Sequence, residues 1–335
     1  MRLVGPLLLL FASVLISGVI GMYFLYILPA TATFGSIAYC LHACWALFLA
    51  FNVFFNYFHC AFTHAGTPEA FLPSSGISDS EDDDTEDDEE TGTRPLIGEV
   101  PGISRVNVGT ADGNGVEGPN RSGHRGSMVL AGGGRGGSGG GLRVQVGYCK
   151  KCREPKPARA HHCHVCDECI VNMDHHCPWM NNCVGYLNYR YFVLFLIYMF
   201  VGCCYAVSIT GPQFLALART NHRHGKPHPK ETKLESAIMM TFVLSLSVGI
   251  AIFILLGWHI YLILTAQTTI EFYQNQTNRS RARQWGELWS NPFDVGCKGN
   301  WQQVFGPKPF IVSLLPSRRT PPPPIVDFFP LEDRD

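Results

Sequence analysis

Charge is scarce in this chain. Only 16% of its 335 residues are Asp, Glu, Lys or Arg, where a soluble domain carries about 25%, and none occurs between Arg2 and Glu69. That scarcity points to a membrane class rather than a soluble globule. Internal repeats are lacking too, so no repeat array is expected to dock partners. The long apolar runs contain no acid, lysine or arginine. This sets aside a transporter or channel, because such proteins place ionisable groups within their spans. Thirteen cysteines would suit a secreted disulfide scaffold, but paired C-x2-C spacings with interleaved histidines are those of zinc sites. Zinc thiolates imply a reducing compartment, which places the cysteine-rich segment in the cytosol.

What remains is strongly patterned. Pro29 and Thr31-Ala32-Thr33 divide the first apolar region into two runs, and two more follow the cysteines. Each reaches the roughly 20 residues needed to cross a bilayer. The first outlasts the apolar core of a cleaved signal peptide. His42 and His259 lie near predicted span ends and read as interfacial side chains rather than ligands. The net charge of −1 hides local asymmetry: ten of the twelve residues 79–90 are acidic, while Lys150, Lys151, Arg153, Lys156 and Arg159 cluster among the cysteines.

The expected fold is mainly α, a polytopic membrane protein whose four transmembrane helices carry a cytosolic two-zinc domain between helices two and three. Residues 1–64 would hold spans at about 7–28 and 36–62, and residues 65–146 a disordered acidic and glycine-rich linker. Residues 147–189 would form the zinc domain, 190–265 the spans at about 191–210 and 237–264, and 266–335 a cytosolic C-terminal region. Both termini then face the cytosol. Arg279, Arg281 and Arg283 agree with the positive-inside rule, whereas the basic loop between spans three and four, with Arg219, Arg223, Lys226, Lys230 and Lys233, does not. The metal chemistry decides the orientation, since a thiolate cluster oxidises in a lumen. The acceptor sequences at Asn120, Asn275 and Asn278 should accordingly be unglycosylated.

Residues 149–183 contain seven cysteines and five histidines, spaced C-x2-C-x9-H-C-x2-C-x2-C-x4-D-H-H-C-x5-C. Two tetrahedral zinc sites need eight ligands. The interleaved assignment is Cys149, Cys152, His162 and Cys169 for one ion, and Cys163, Cys166, His176 and Cys183 for the other. Too few apolar residues are present for a core, so the metals must carry the folding, at about 10–16 kcal/mol of apparent binding free energy for a structural site. One thiol, Cys177, is left over. A free cysteine is usually a buried structural thiol, but this one directly follows Asp174-His175-His176. With His175 as base and Asp174 holding its tautomer, the neighbours favour a nucleophile.

Within this frame, Asp174-His175-His176-Cys177 resembles the DHHC family of protein S-acyltransferases (palmitoyltransferases). Thr268-Thr269-Ile270-Glu271 is similar to the family's TTxE motif. Asn291-Pro292-Phe293-Asp294, with Gly296 and Asn300-Trp301, is similar to its C-terminal segment. His64-Ala65-Gly66 stands where the family often has Asp-Pro-Gly. The resemblance implies a ping-pong reaction in which Cys177 takes the acyl group of a long-chain acyl-coenzyme A. It then passes the group to a cysteine of a membrane-associated protein, while two zinc ions serve structurally. It also implies that Lys156, Arg159 and His161 contact the coenzyme A phosphates and that Trp179 packs near the thioester, although an interfacial anchor would look the same. Thr268, Thr269, Glu271 and Asn291 are then structural motif residues. Gly202 would widen the acyl cavity and admit chains longer than palmitate. The implied setting is the endomembrane system, Golgi or endoplasmic reticulum, with no nucleic acid and no indicated accessory subunit. The competing reading is a membrane-anchored zinc module that binds partners and catalyses nothing.

Overall fold

The computed structural model describes residues 4–68, 147–220, 229–319 and 321. The greater part of the expected linker, with the sequon at Asn120, lies outside the described residues, as do the middle of the basic loop and residues 322–335.

Among the described residues, four helices are long and apolar enough to cross a membrane. The first comprises α1 (Val4–Met22), a π-helical turn (Tyr23–Ile27) and α2 (Leu28–Thr31). It therefore runs past Pro29: the π-helical turn just before it takes the Leu28 amide back to the Tyr23 carbonyl, and local π adjustment of this kind lets a membrane helix absorb a residue that cannot donate. Its true end is at Ala32, where the backbone turns extended. The second helix, α3 (Ile37–Phe62), starts at Ser36, whose hydroxyl caps the Tyr39 amide. Helices α4 (Tyr189–Thr220) and α5 (Pro229–Leu264) extend beyond the expected 191–210 and 237–264. They approach closely at Gly249, where a Cβ would stand 3.1 Å from that of Cys203.

Among the described residues between α3 and α4 are three antiparallel hairpins: β1 (Gly147–Cys149) with β2 (Glu154–Lys156), β3 (Ala160–Cys163) with β4 (Glu168–Val171), and β5 (His175–Cys177) with β6 (Asn182–Val184). Strands of three or four residues do not stand alone in water. Two features attach them to the helices. Asn182 Nδ2 donates to the carbonyls of Cys60, Ala61 and Thr63, and the buried Asn188 Nδ2 donates to those of Cys60, Thr63 and Cys183. Together they satisfy the orphan carbonyls at the end of α3. The 64–66 stretch continues the attachment, since the Ala65 and Gly66 carbonyls accept from Leu187 and Val171 amides.

After α5 come α6 (Thr269–Gln284), α7 (Cys297–Phe305) and α8 (Phe310–Leu314). Asn291 Nδ2 donates to the carbonyls of Thr265 and Ala266, and Asn300 Nδ2 to that of Leu264. The C-terminal motif thus caps the fourth membrane helix.

Candidate metal centres and active site

The C-x2-C pairs Cys149/Cys152 and Cys163/Cys166 close tight turns of the same design. The amide of Cys152 approaches Cys149 Sγ and that of Cys166 approaches Cys163 Sγ, while the Arg153 and Asp167 amides return to the Cys149 and Cys163 carbonyls. Arg153 and Asp167 have φ of 59° and 63°. These turns aim two thiols at one point, and the neighbouring hairpin adds the other two donors. Cys149, Cys152, His162 and Cys169 gather as one set, and Cys163, Cys166, His176 and Cys183 as the other. His162 Nδ1 lies 3.7 and 3.2 Å from Cys149 and Cys152 Sγ, and Cys152 Sγ lies 3.6 Å from Cys169 Sγ. In the second set His176 Nδ1 lies 3.8, 3.5 and 3.6 Å from Cys163, Cys166 and Cys183 Sγ. A zinc tetrahedron with bonds of about 2.0–2.3 Å has edges of about 3.3–3.8 Å. Three soft thiols and one imidazole at such spacings fit a structural metal ion.

Cys177 belongs to neither set. It lies at the end of β5, buried, and with His175, Pro178 and Trp179 lines a cavity of about 630 Å³ between the membrane helices. The lining is almost wholly apolar, and its polar members include Tyr23, Tyr205, Thr241 and Ser245. Tyr205 is 13 residues along α4 from Phe192, whose ring contacts His175, so the cavity follows that helix for roughly 20 Å. Tyr205 bonds the hydroxyl of Tyr23 at 2.7 Å and Nδ1 of His42 at 2.8 Å. His42 is therefore tied into this network. A Cβ at Gly202 would meet nothing within 4 Å. Trp179 is half-exposed, lines the same cavity, and accepts a bond from Tyr57 through its carbonyl.

Behind Cys177, His175 Nδ1 lies 2.7 Å from Asp174 Oδ2. Burial would push this imidazole down, but the Asp174 bond and the Cys177 thiol outweigh it and raise it to about 9. Burial would likewise raise the Asp174 carboxyl. Its bond to His175, the nearby charge of that imidazole and the Thr269 amide prevail and hold it below the usual carboxylate range. Thr269 donates to Asp174 from both its amide (2.8 Å) and its hydroxyl (3.0 Å). Because Thr269 opens α6, the carboxylate sits at a helix N-terminus, where unsatisfied amides stabilise negative charge. Thr268 and Glu271 form the capping box of that helix.

Arg159 corrects an expectation. It is not a free phosphate contact: Nε and Nη2 bond the two oxygens of Glu271 at 2.6 and 2.8 Å, and Nη2 reaches the Ala266 carbonyl. Both side chains are 8% exposed, and the guanidinium also lies over the Phe293 ring. The pair joins the hairpin module to α6 and hence to Asp174. Arg159→Ala leaves a buried carboxylate unpaired and should cost about 3–5 kcal/mol. Glu271→Gln in the same chain should recover part of that loss in thermal melts of the detergent-solubilised protein, and strictly additive losses would contradict the coupling. Lys156 and His161 are half-buried on β2 and β3, and Lys156 makes no ion pair among the described residues.

The second correction is His259. It is 1% exposed, and one ligating atom from each of Asp174, His175 and His259 lies within 4.8 Å of the others. An interfacial reading missed it. The available signal was that an ionisable residue within a span is a functional candidate by default. Tyr189, whose hydroxyl is 3.1 Å from His259 Nδ1, gave no such signal.

Comparison with known proteins agrees with this geometry. Residues 144–276 match the family model described as DHHC palmitoyltransferase. The chain is 38% identical over 176 residues to probable protein S-acyltransferase 16 of Arabidopsis thaliana, covering 51% of this chain and 58% of that protein. It is 38% identical over 161 residues to human palmitoyltransferase ZDHHC20, covering 48% and 40%. Palmitoyltransferase ZDHHC16A of Danio rerio is 32% identical over 201 residues, covering 48% and 52%. The chain thus spans about half the length of the curated relatives it matches.

Proposed function

We propose that this chain, whose residues 144–276 match the DHHC palmitoyltransferase family model, is a protein S-acyltransferase acting at a membrane surface. The observation that carries this reading is a thiol outside both four-donor sets, Cys177, set in the wall of an apolar cavity with His175 beside it. His175 takes the Cys177 proton, and the thiolate attacks the thioester of a long-chain acyl-coenzyme A. Coenzyme A leaves as a thiol, receiving the proton from His175. In the second half, His175 deprotonates an acceptor cysteine, which displaces Cys177 from the acyl group. Asp174, fixed by Thr269, orients His175 and balances its charge. Burying about fourteen methylenes at about 0.8 kcal/mol each keeps ~11 kcal/mol of apolar chain out of water during both steps. The residues that would hold zinc are the two Cys3His sets, whose ions would order the hairpins. Lys156 and His161 remain the proposed contacts to the coenzyme A phosphates. The acceptors would be cytosolic cysteines of membrane-associated proteins, which places the hairpin module and both termini on the cytosolic side of an endomembrane.

The test is incubation of the purified full-length protein with labelled palmitoyl-CoA. Hydroxylamine-labile label mapping to Cys177 is expected, and a protein that binds its metals yet takes up no label favours the non-catalytic interaction module. The open space at Gly202 adds a prediction about chain length. A tyrosine there projects into the cavity and removes room for about two methylenes, so Gly202→Tyr should shift the myristoyl-to-palmitoyl preference roughly tenfold towards the shorter chain. An unchanged acyl-CoA profile would count against this cavity as the acyl site.

A further inference from the structure

His259 is placed where a purely structural histidine is not needed. It stands on α5 among apolar residues, buried, and does not line the cavity that holds Cys177 and His175. Its ring lies 5.9 Å from that of His175, 4.9 Å from Phe192 and 5.7 Å from Tyr189. Its Nδ1 is occupied by the Tyr189 hydroxyl. If Tyr189 donates that bond, the imidazole carries its proton on Nε2, and this second nitrogen is the one left for the Asp174 and His175 side. The demand on His175 is directional: Nδ1 must stay on Asp174 while Nε2 faces the sulfur. The single bond to Asp174 fixes one edge of the ring, and the tilt of the ring is left to its walls. Phe192 supplies an apolar wall at 5.2 Å, and His259 supplies a polar one beside a carboxylate whose side chain is fully buried. A buried carboxylate–imidazolium pair costs least where nearby dipoles face it.

We propose that His259, held by the Tyr189 hydroxyl, is a positioning residue for acyl transfer: it orients the His175 ring and backs the Asp174 carboxylate without touching the acyl group. This rests on the reading that Cys177 carries the acyl chain. The experiment is single-turnover acylation of Cys177 by palmitoyl-CoA in the full-length protein, with His259→Phe, His259→Gln and Tyr189→Phe compared. His259→Phe keeps a ring but no polar atom, and its limiting rate should fall about 10–100-fold. The half-saturating acyl-CoA concentration should change by less than about threefold, because the residue contacts no substrate. Glutamine should restore part of the rate, and Tyr189→Phe, which deletes one oxygen, should lose part of it. Metal content and melting temperature should stay at wild-type values. Wild-type rates in His259→Phe and Tyr189→Phe would overturn the inference, as would a rate loss that tracks metal loss or lowered melting in both. Should His259→Phe fail to fold, Tyr189→Phe decides by the same readout. A wild-type protein that forms no thioester on Cys177 sinks the acyl-transfer reading itself, whereas a labelled wild type with indifferent variants sinks only the role of His259.

Discussion

Cys177→Ser should reduce acyl uptake from palmitoyl-CoA by roughly 10³-fold or more, with both metal sites still filled. The size follows from chemistry: the thiolate is the attacking species at neutral pH, and a serine hydroxyl in the same place is far less acidic and a weaker nucleophile. That the metals should survive follows from position. Cys177 is outside both four-donor sets, and the oxygen that replaces its sulfur is smaller, so the buried wall of the cavity is not overpacked. The measurement pairs hydroxylamine-labile label with metal analysis on the same sample. Label retained in the variant would move the acyl site to another cysteine. Loss of one metal with the label would mean that Cys177 ligates after all.

Cys163→Ser should do the opposite, removing one metal first, and the hairpin module and acylation with it. The hairpin module has three two-stranded ladders of three or four residues, and the small cluster of Ala65, Cys163, Ile170, Met173 and Cys183 that packs beneath them is itself partly made of ligands. Structural sites of this kind contribute about 10–16 kcal/mol, more than such hairpins supply. The expected result is one metal equivalent lost, rapid proteolysis within residues 147–189, and no acylation, because β5 holds both His176 and the Cys177–His175 pair. The helices should keep their content, since their apolar surfaces do not depend on zinc. A variant with two bound metals and native protease resistance would refute the account.

These outcomes show how unevenly the chain announces itself. The interleaved ligand sets were legible because a tetrahedral ion accepts only four donors and C-x2-C turns leave few ways to supply them. The membrane helices were legible from uncharged length. Their ends were not: Pro29 is absorbed behind a π-helical turn, and α4 and α5 run beyond their most apolar windows. The TTxE-like stretch was visible as a string, but its use was hidden. Thr268 and Glu271 cap a helix locally, whereas Thr269 meets Asp174 across 95 residues of chain. Arg159 was misjudged for the same reason, since a basic residue in a basic cluster reads as a phosphate contact until its partner, 112 residues away, is seen.

Spacing along the chain was enough to specify the donors, the surplus sulfur and the four apolar stretches, because each of these is a matter of local stoichiometry or local hydropathy. Which groups surround that sulfur was settled by packing. The docking of α4, α5 and α6 around β5 brings Tyr189, His259 and Thr269 to one carboxylate and one imidazole, and helix-on-hairpin contact of that kind depends on side-chain fit between segments far apart in sequence, about which neighbouring residues carry no information.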